Sequence, residues 1–259
     1  MGKLSNVGRI FYGIAMVEVG FQTIYYKDVP YMLLPLNHTS IPGFAAIACV
    51  LGALFILAGA CIVFGIKARQ VSLLLGGLLL LIFCFYFLPY QLFVSKDHMH
   101  FSDWENSAKE LSLAGGALAV AGCFLGKDEN PLTRFLGKLI PLGIILYAIT
   151  IISFSIDHFL YAHEAADYVP AWAPNHVLML YITGAALFCS GIAIILKIWT
   201  RLAATLLGAM IFIWFASLHI PRVVVTPIAD MSGEAVSAFI ALAYSGTAFV
   251  IAGTVKKRV

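Results

Sequence analysis

The chain is dominated by uninterrupted apolar runs about as long as a bilayer is thick. Crossing the hydrocarbon core takes roughly 20 apolar residues in a helix, and eight stretches qualify: about 9–26, 43–66, 70–94, 107–125, 136–160, 176–198, 202–220 and 234–254. The runs are continuous rather than alternating, which predicts helices and not a barrel. Across all 259 residues 61% are hydrophobic and only 11% charged, with a mean hydropathy of +0.95. Soluble domains carry about 25% charge, so a water-soluble fold could not cover its surface with polar groups. Disorder is excluded because so much apolar surface would not stay solvated. The expected class is an all-α, multi-span membrane protein.

The charges are sorted by side. Lys3, Arg9, Lys67, Arg69, Lys127, Arg134, Lys138, Lys197, Arg201, Lys256, Lys257 and Arg258 all lie in alternate connections or at the termini, and they are twelve of the sixteen basic residues. With eight spans these segments share one face, which the positive-inside rule makes cytoplasmic, together with both termini. Asp128 and Glu129 accompany them; Glu18 is mid-span. The other acids gather in or beside the longer loops of the opposite face, as do His38, His98, His100, His158, His163, His176 and His219. No small-residue cleavage site follows Met1–Arg9, so the first span is expected to remain as an anchor. Cys49, Cys61, Cys84, Cys123 and Cys189 are dispersed without a CxxC, which argues against a disulfide framework or a thiol-redox pair.

The two halves match each other. Aligning Gly52 with Gly184 superimposes 52–90 on 184–222 without a gap. The alignment pairs Gly59 with Gly191, Arg69 with Arg201, Gly76 with Gly208 and Pro89 with Pro221. Near the ends, Thr23 stands in the place of His158, and Gly116 is set against Gly246. Four spans per unit is an even number, so the units, 1–130 and 131–259, are parallel repeats related by an axis near the membrane normal. The matched glycines are read as helix-packing positions, since glycine lets backbones approach in lipid.

The second unit contains His158-Phe159, Val169-Pro170-Ala171-Trp172-Ala173-Pro174, Tyr181-Ile182-Thr183-Gly184 and Leu218-His219-Ile220-Pro221-Arg222-Val223. The first contains Trp104-Glu105-Asn106-Ser107-Ala108-Lys109-Glu110-Leu111 before Ala114-Gly115-Gly116. This combination resembles the DoxX-like family of small bacterial membrane proteins and covers most of the chain. The resemblance implies four-helix units in a bacterial cytoplasmic membrane and an association with membrane redox systems. Its implied cofactor class is a quinone, and its implied partners are membrane redox subunits beside the lipid bilayer. No nucleic-acid partner is expected. The first unit departs from the pattern, with Phe87 at the place of His219 and Tyr90 at that of Arg222, so a polar site belongs to the second unit.

Asp157 and His158 fall near the outer end of the fifth span, and His219 and Arg222 near that of the seventh. Packing of these helix ends is expected to gather the four, with Arg222 held by Asp157 or His158. The cluster admits three readings: a polar fastening of helix ends, a ligand or quinone-headgroup site, or a metal site using His98-x-His100. No HExxH and no tight cysteine–histidine spacing supports the metal, and none is assigned. Glu18 lies nine residues beyond Arg9, ~13 Å along a helix, at a depth where charge is costly. It reads as a structural acid or a proton-coupling one. With no nucleophile–base set, autonomous catalysis is not expected. A non-catalytic subunit or a module binding a quinone or other lipid-like ligand is favoured, with a proton-coupled transporter or a ligand-free assembly protein as alternatives.

Overall fold

The computed structural model describes residues 2–34, 41–95, 101–124, 126, 130–225 and 233–255. His38, His98, His100, Asp128 and the basic C-terminal residues lie outside them. Among the described residues the long elements are α1 (Lys3–Tyr26), α2 (Phe44–Phe64), α3 (Ala68–Phe93), α4 (Phe101–Gly122), α5 (Ile140–Leu160), α6 (His176–Ile195), α7 (Thr200–Val225) and α8 (Glu234–Thr254). Each of the eight expected segments is thus helical. Six of them, α2, α3, α5, α6, α7 and α8, are long and apolar enough to cross a membrane. The other two carry charged residues along their length, Arg9 and Glu18 on α1, and Glu105, Lys109 and Glu110 on α4.

The outward faces are as apolar as the inward ones. Leu57, Phe64, Phe85 and Phe93 stand exposed, and α2 is the most hydrophobic helix although only 28% of its span is buried. Apolar surface of that extent matches a hydrocarbon surround rather than water.

α1 packs between α2 and α8, and α5 packs between α6 and α4; α3 rests on α4 as α7 rests on α8. The first helix of each half is therefore clasped by the fourth helix of the other half, and α4 and α8 also touch each other. Glycine makes the clasp close. A Cβ on Gly246 would stand 2.6 Å from the Gly8 carbonyl oxygen, and one on Gly143 would stand 2.8 Å from that of Gly115. The partner corresponding to Gly246 is thus Gly115, one residue before the Gly116 of the sequence match; apolar flanks had left that register loosely specified. Tyrosines tie the first helix of each half to the fourth helix of its own half. The Tyr12 hydroxyl donates to the Leu113 carbonyl at 2.6 Å, and that of Tyr147 donates to the Tyr244 carbonyl at 2.9 Å.

α3 and α7 correspond in finer detail. Both follow a left-handed residue, Lys67 and Trp199, and both widen into a π turn, Phe83–Phe87 and Phe215–His219. Pro89 and Pro221 lie two residues beyond. Proline cannot donate its backbone bond and crowds the preceding turn; a π turn absorbs both problems without ending the helix. This is why α7 continues to Val225, past the expected end near residue 220.

Arginines close the other end of the bundle. Arg9 Nη1 donates to the Val63 carbonyl at 2.7 Å, and Arg69 Nη1 donates to that of Ala121 at 3.0 Å. Both satisfy carbonyls in the last turn of a helix, where the backbone partial charge is negative.

Candidate functional site

A half-open cavity of about 780 Å³ lies between α5, α6, α7 and α8. The start of α4 supplies Glu105 and Lys109, and the segment after α1 supplies Pro30, Tyr31 and Met32. All of these meet at one end of the bundle, where the long connections lie. The body of the cavity is apolar and aromatic, with Phe154, Leu180, Leu187, Met210, Ile211 and Trp214. Its polar end holds Glu105, Lys109, Asp157, His158 and His219.

Each polar group owes its place to a local device. His158 sits in the last turn of α5, where its Nδ1 approaches the Phe154 carbonyl at 2.7 Å. A carbonyl only accepts, so Nδ1 carries the proton and Nε2 of the neutral ring is an acceptor. Gly184 on α6 lets the His158 backbone end come close; a Cβ there would stand 2.9 Å from His158 Cβ. His219 is the last residue of the α7 π turn, which turns this position inward. Lys109 and Glu105 are one helical turn apart, Nζ to Oε1 3.8 Å. Asp157 faces this pair, its charged neighbours being Glu105 and Lys109. Its carboxyl lies within hydrogen-bonding reach of that of Glu105, an arrangement that needs a shared proton.

Arg222 takes a different partner from the one expected. Its guanidinium binds Glu234 at the start of α8, Nη2 to Oε1 2.6 Å and Nε to Oε1 2.7 Å. It also stacks over Tyr168, 4.4 Å from the ring centre. Glu234 Oε2 lies 4.0 Å from His219 Nδ1. The expected pairing with Asp157 or His158 does not form. Glu234, in the first turn of α8, offers a carboxylate to both Arg222 and His219. Asp157, His158 and His219 share the cavity; Arg222 braces its rim.

Glu18 belongs elsewhere. It does not line the cavity, and its Oε1 accepts from the Gln22 amide one turn along α1. Its Oε2 is buried and unpartnered among the described residues. The sequence placed Glu105 and Lys109 in the Trp104–Leu111 motif without assigning them to this site and gave Glu234 no role, although Glu105-x-x-x-Lys109 has the spacing of a helical ion pair. Glu110, also named only within that motif, is fully buried with both oxygens unpartnered among the described residues. The signal was available: Glu110, Leu113, Ala114 and Ala117 lie on one inward face of α4.

The first half has filled the matching space. Phe55 stands where Leu187 lines the cavity, and Phe87 where His219 does; both phenylalanines are wholly buried. Gln22 and Thr23, at the places of Asp157 and His158, are buried too. Among the described residues no group of three His, Cys, Asp or Glu is arranged to hold a metal ion. No protein-family model, no curated protein and no solved structure matches this chain.

Proposed function

We propose that the chain is a DoxX-like, eight-span protein of a bacterial cytoplasmic membrane, built from two four-span units, 1–130 and 131–259, with both termini in the cytoplasm. In this reading its second unit is a binding module for a lipid-like ligand with a polar head, a quinone-type ring being the favoured class. The module serves a membrane redox system as a non-catalytic subunit. The observation that carries the proposal is the one-sided cavity, apolar along its body and polar at one end. A pocket of this size and character is what small amphiphiles require. The clasp between first and fourth helices and the paired π turns support the two units. The basic ends of the helices support the orientation.

Native mass spectrometry of the purified protein tests the ligand. The wild type should retain an amphiphile of defined mass, and His219→Phe, which copies the filled first half, should lose it. Identical spectra from the two proteins, or bare protein from both, would refute the proposal.

A further inference from the structure

The polar end of the cavity presents one defined lone-pair acceptor. His158 Nδ1 is committed to the Phe154 carbonyl, which leaves Nε2 as a lone-pair acceptor. His158 lines the cavity, and its described hydrogen bond is the one made by Nδ1. Beside it, the Asp157 carboxyl is engaged by that of Glu105. Among the described residues the ammonium at this end, that of Lys109, already lies against Glu105 and acts on Asp157. A second cation brought by a ligand would meet Lys109, so the imidazole lone pair is better matched by a neutral donor.

Resting on the ligand-binding reading above, we propose that the occupant's head carries a hydroxyl that donates to His158 Nε2. The cavity thereby selects the phenolic, reduced form of a quinone-like ligand over the dione form. A dione has only carbonyl oxygens, which accept. Bound here it would leave the imidazole lone pair desolvated and unpaired, and an unmade bond of this kind is the costly case. Sites built to bond a hydroxyl discriminate strongly against analogues that lack one. The aromatic body formed by Phe154 and Trp214 suits a ring.

The test compares 4-nonylphenol with its methyl ether, titrated into the protein in nanodiscs by calorimetry. In the wild type the phenol should bind about tenfold more tightly, the equivalent of roughly 1.4 kcal/mol. In His158→Phe the two should converge within about twofold, with the ether's affinity unchanged as the sign of an intact cavity. His158→Gln, whose amide oxygen accepts, should recover part of the preference. Should His158→Phe not fold, the wild-type pair and His158→Gln carry the test. Equal binding of phenol and ether by the wild type overturns the inference and leaves the ligand-binding reading standing, as does a preference that survives His158→Phe. Tighter binding of dodecyltrimethylammonium than of the phenol overturns it in favour of a cationic head. Binding of none of the three removes the inference and the reading together.

Discussion

Arg222 and Glu234 join the end of α7 to the start of α8 through two contacts to a single oxygen, 2.6 Å from Nη2 and 2.7 Å from Nε. Both side chains keep some access to solvent, 32% and 19%, so the pair belongs with partly screened bridges. Its coupling is expected to be ~1 kcal/mol. Arg222→Met and Glu234→Gln should each lower the thermal midpoint in detergent, and the double variant should lose less than the sum. Strict additivity would show that the two groups do not interact.

The clasp of α1 by α8 rests on backbone contact at Gly8 and Gly246. Gly246→Ala places a methyl 2.6 Å from the Gly8 carbonyl oxygen. Relief requires the helices to separate, which should cost about 1–3 kcal/mol. Gly2→Ala is the control, since its nearest contact, 3.6 Å, is an ordinary one. Thermal unfolding of the two variants should separate them clearly; equal midpoints would contradict the close packing.

Phe87 and His219 occupy the same place in their π turns and should respond in opposite ways. Phe87→Ala empties a fully buried site and should destabilise by about 3–5 kcal/mol. His219→Phe fills space that is already open and should cost little stability. Greater loss from the second substitution than from the first would contradict the account of a filled first half.

Glu110 is buried with neither oxygen bonded among the described residues. An unsatisfied buried polar group costs roughly 1–3 kcal/mol. Glu110→Gln halves the acceptor count and adds a donor, and Glu110→Leu removes the polar atoms altogether. The leucine variant should melt higher than the wild type. A lower midpoint would mean that Glu110 has a bonding partner.

The helices were legible in the sequence because a run of twenty apolar residues leaves the backbone one way to satisfy itself in lipid. The internal match was legible too, where rare residues fixed it. Pro89 and Pro221 aligned with each other without announcing the π turns before them, and Thr23 and Phe87 marked the half without polar groups. Registers resting on glycine and leucine alone slipped, as at Gly115 and Gly116. The gathering of Asp157, His158 and His219 at one cavity followed from the side on which each helix ends. Partner choice did not follow. Arg222 could reach several carboxylates, and Glu234 took it because the first turn of α8 faces the end of α7. Glu105 and Lys109 enter the same cavity through packing of α4 on α5, a contact between halves that no local spacing announces.

An experimental density map of the protein in lipid nanodiscs tests the central claim most directly. The account predicts an elongated, lipid-like density between α5, α6, α7 and α8, its head at His158 and its body along Trp214, with nothing at the matching place beside Phe87. A cavity filled only by water, or equal densities in both halves, would contradict it.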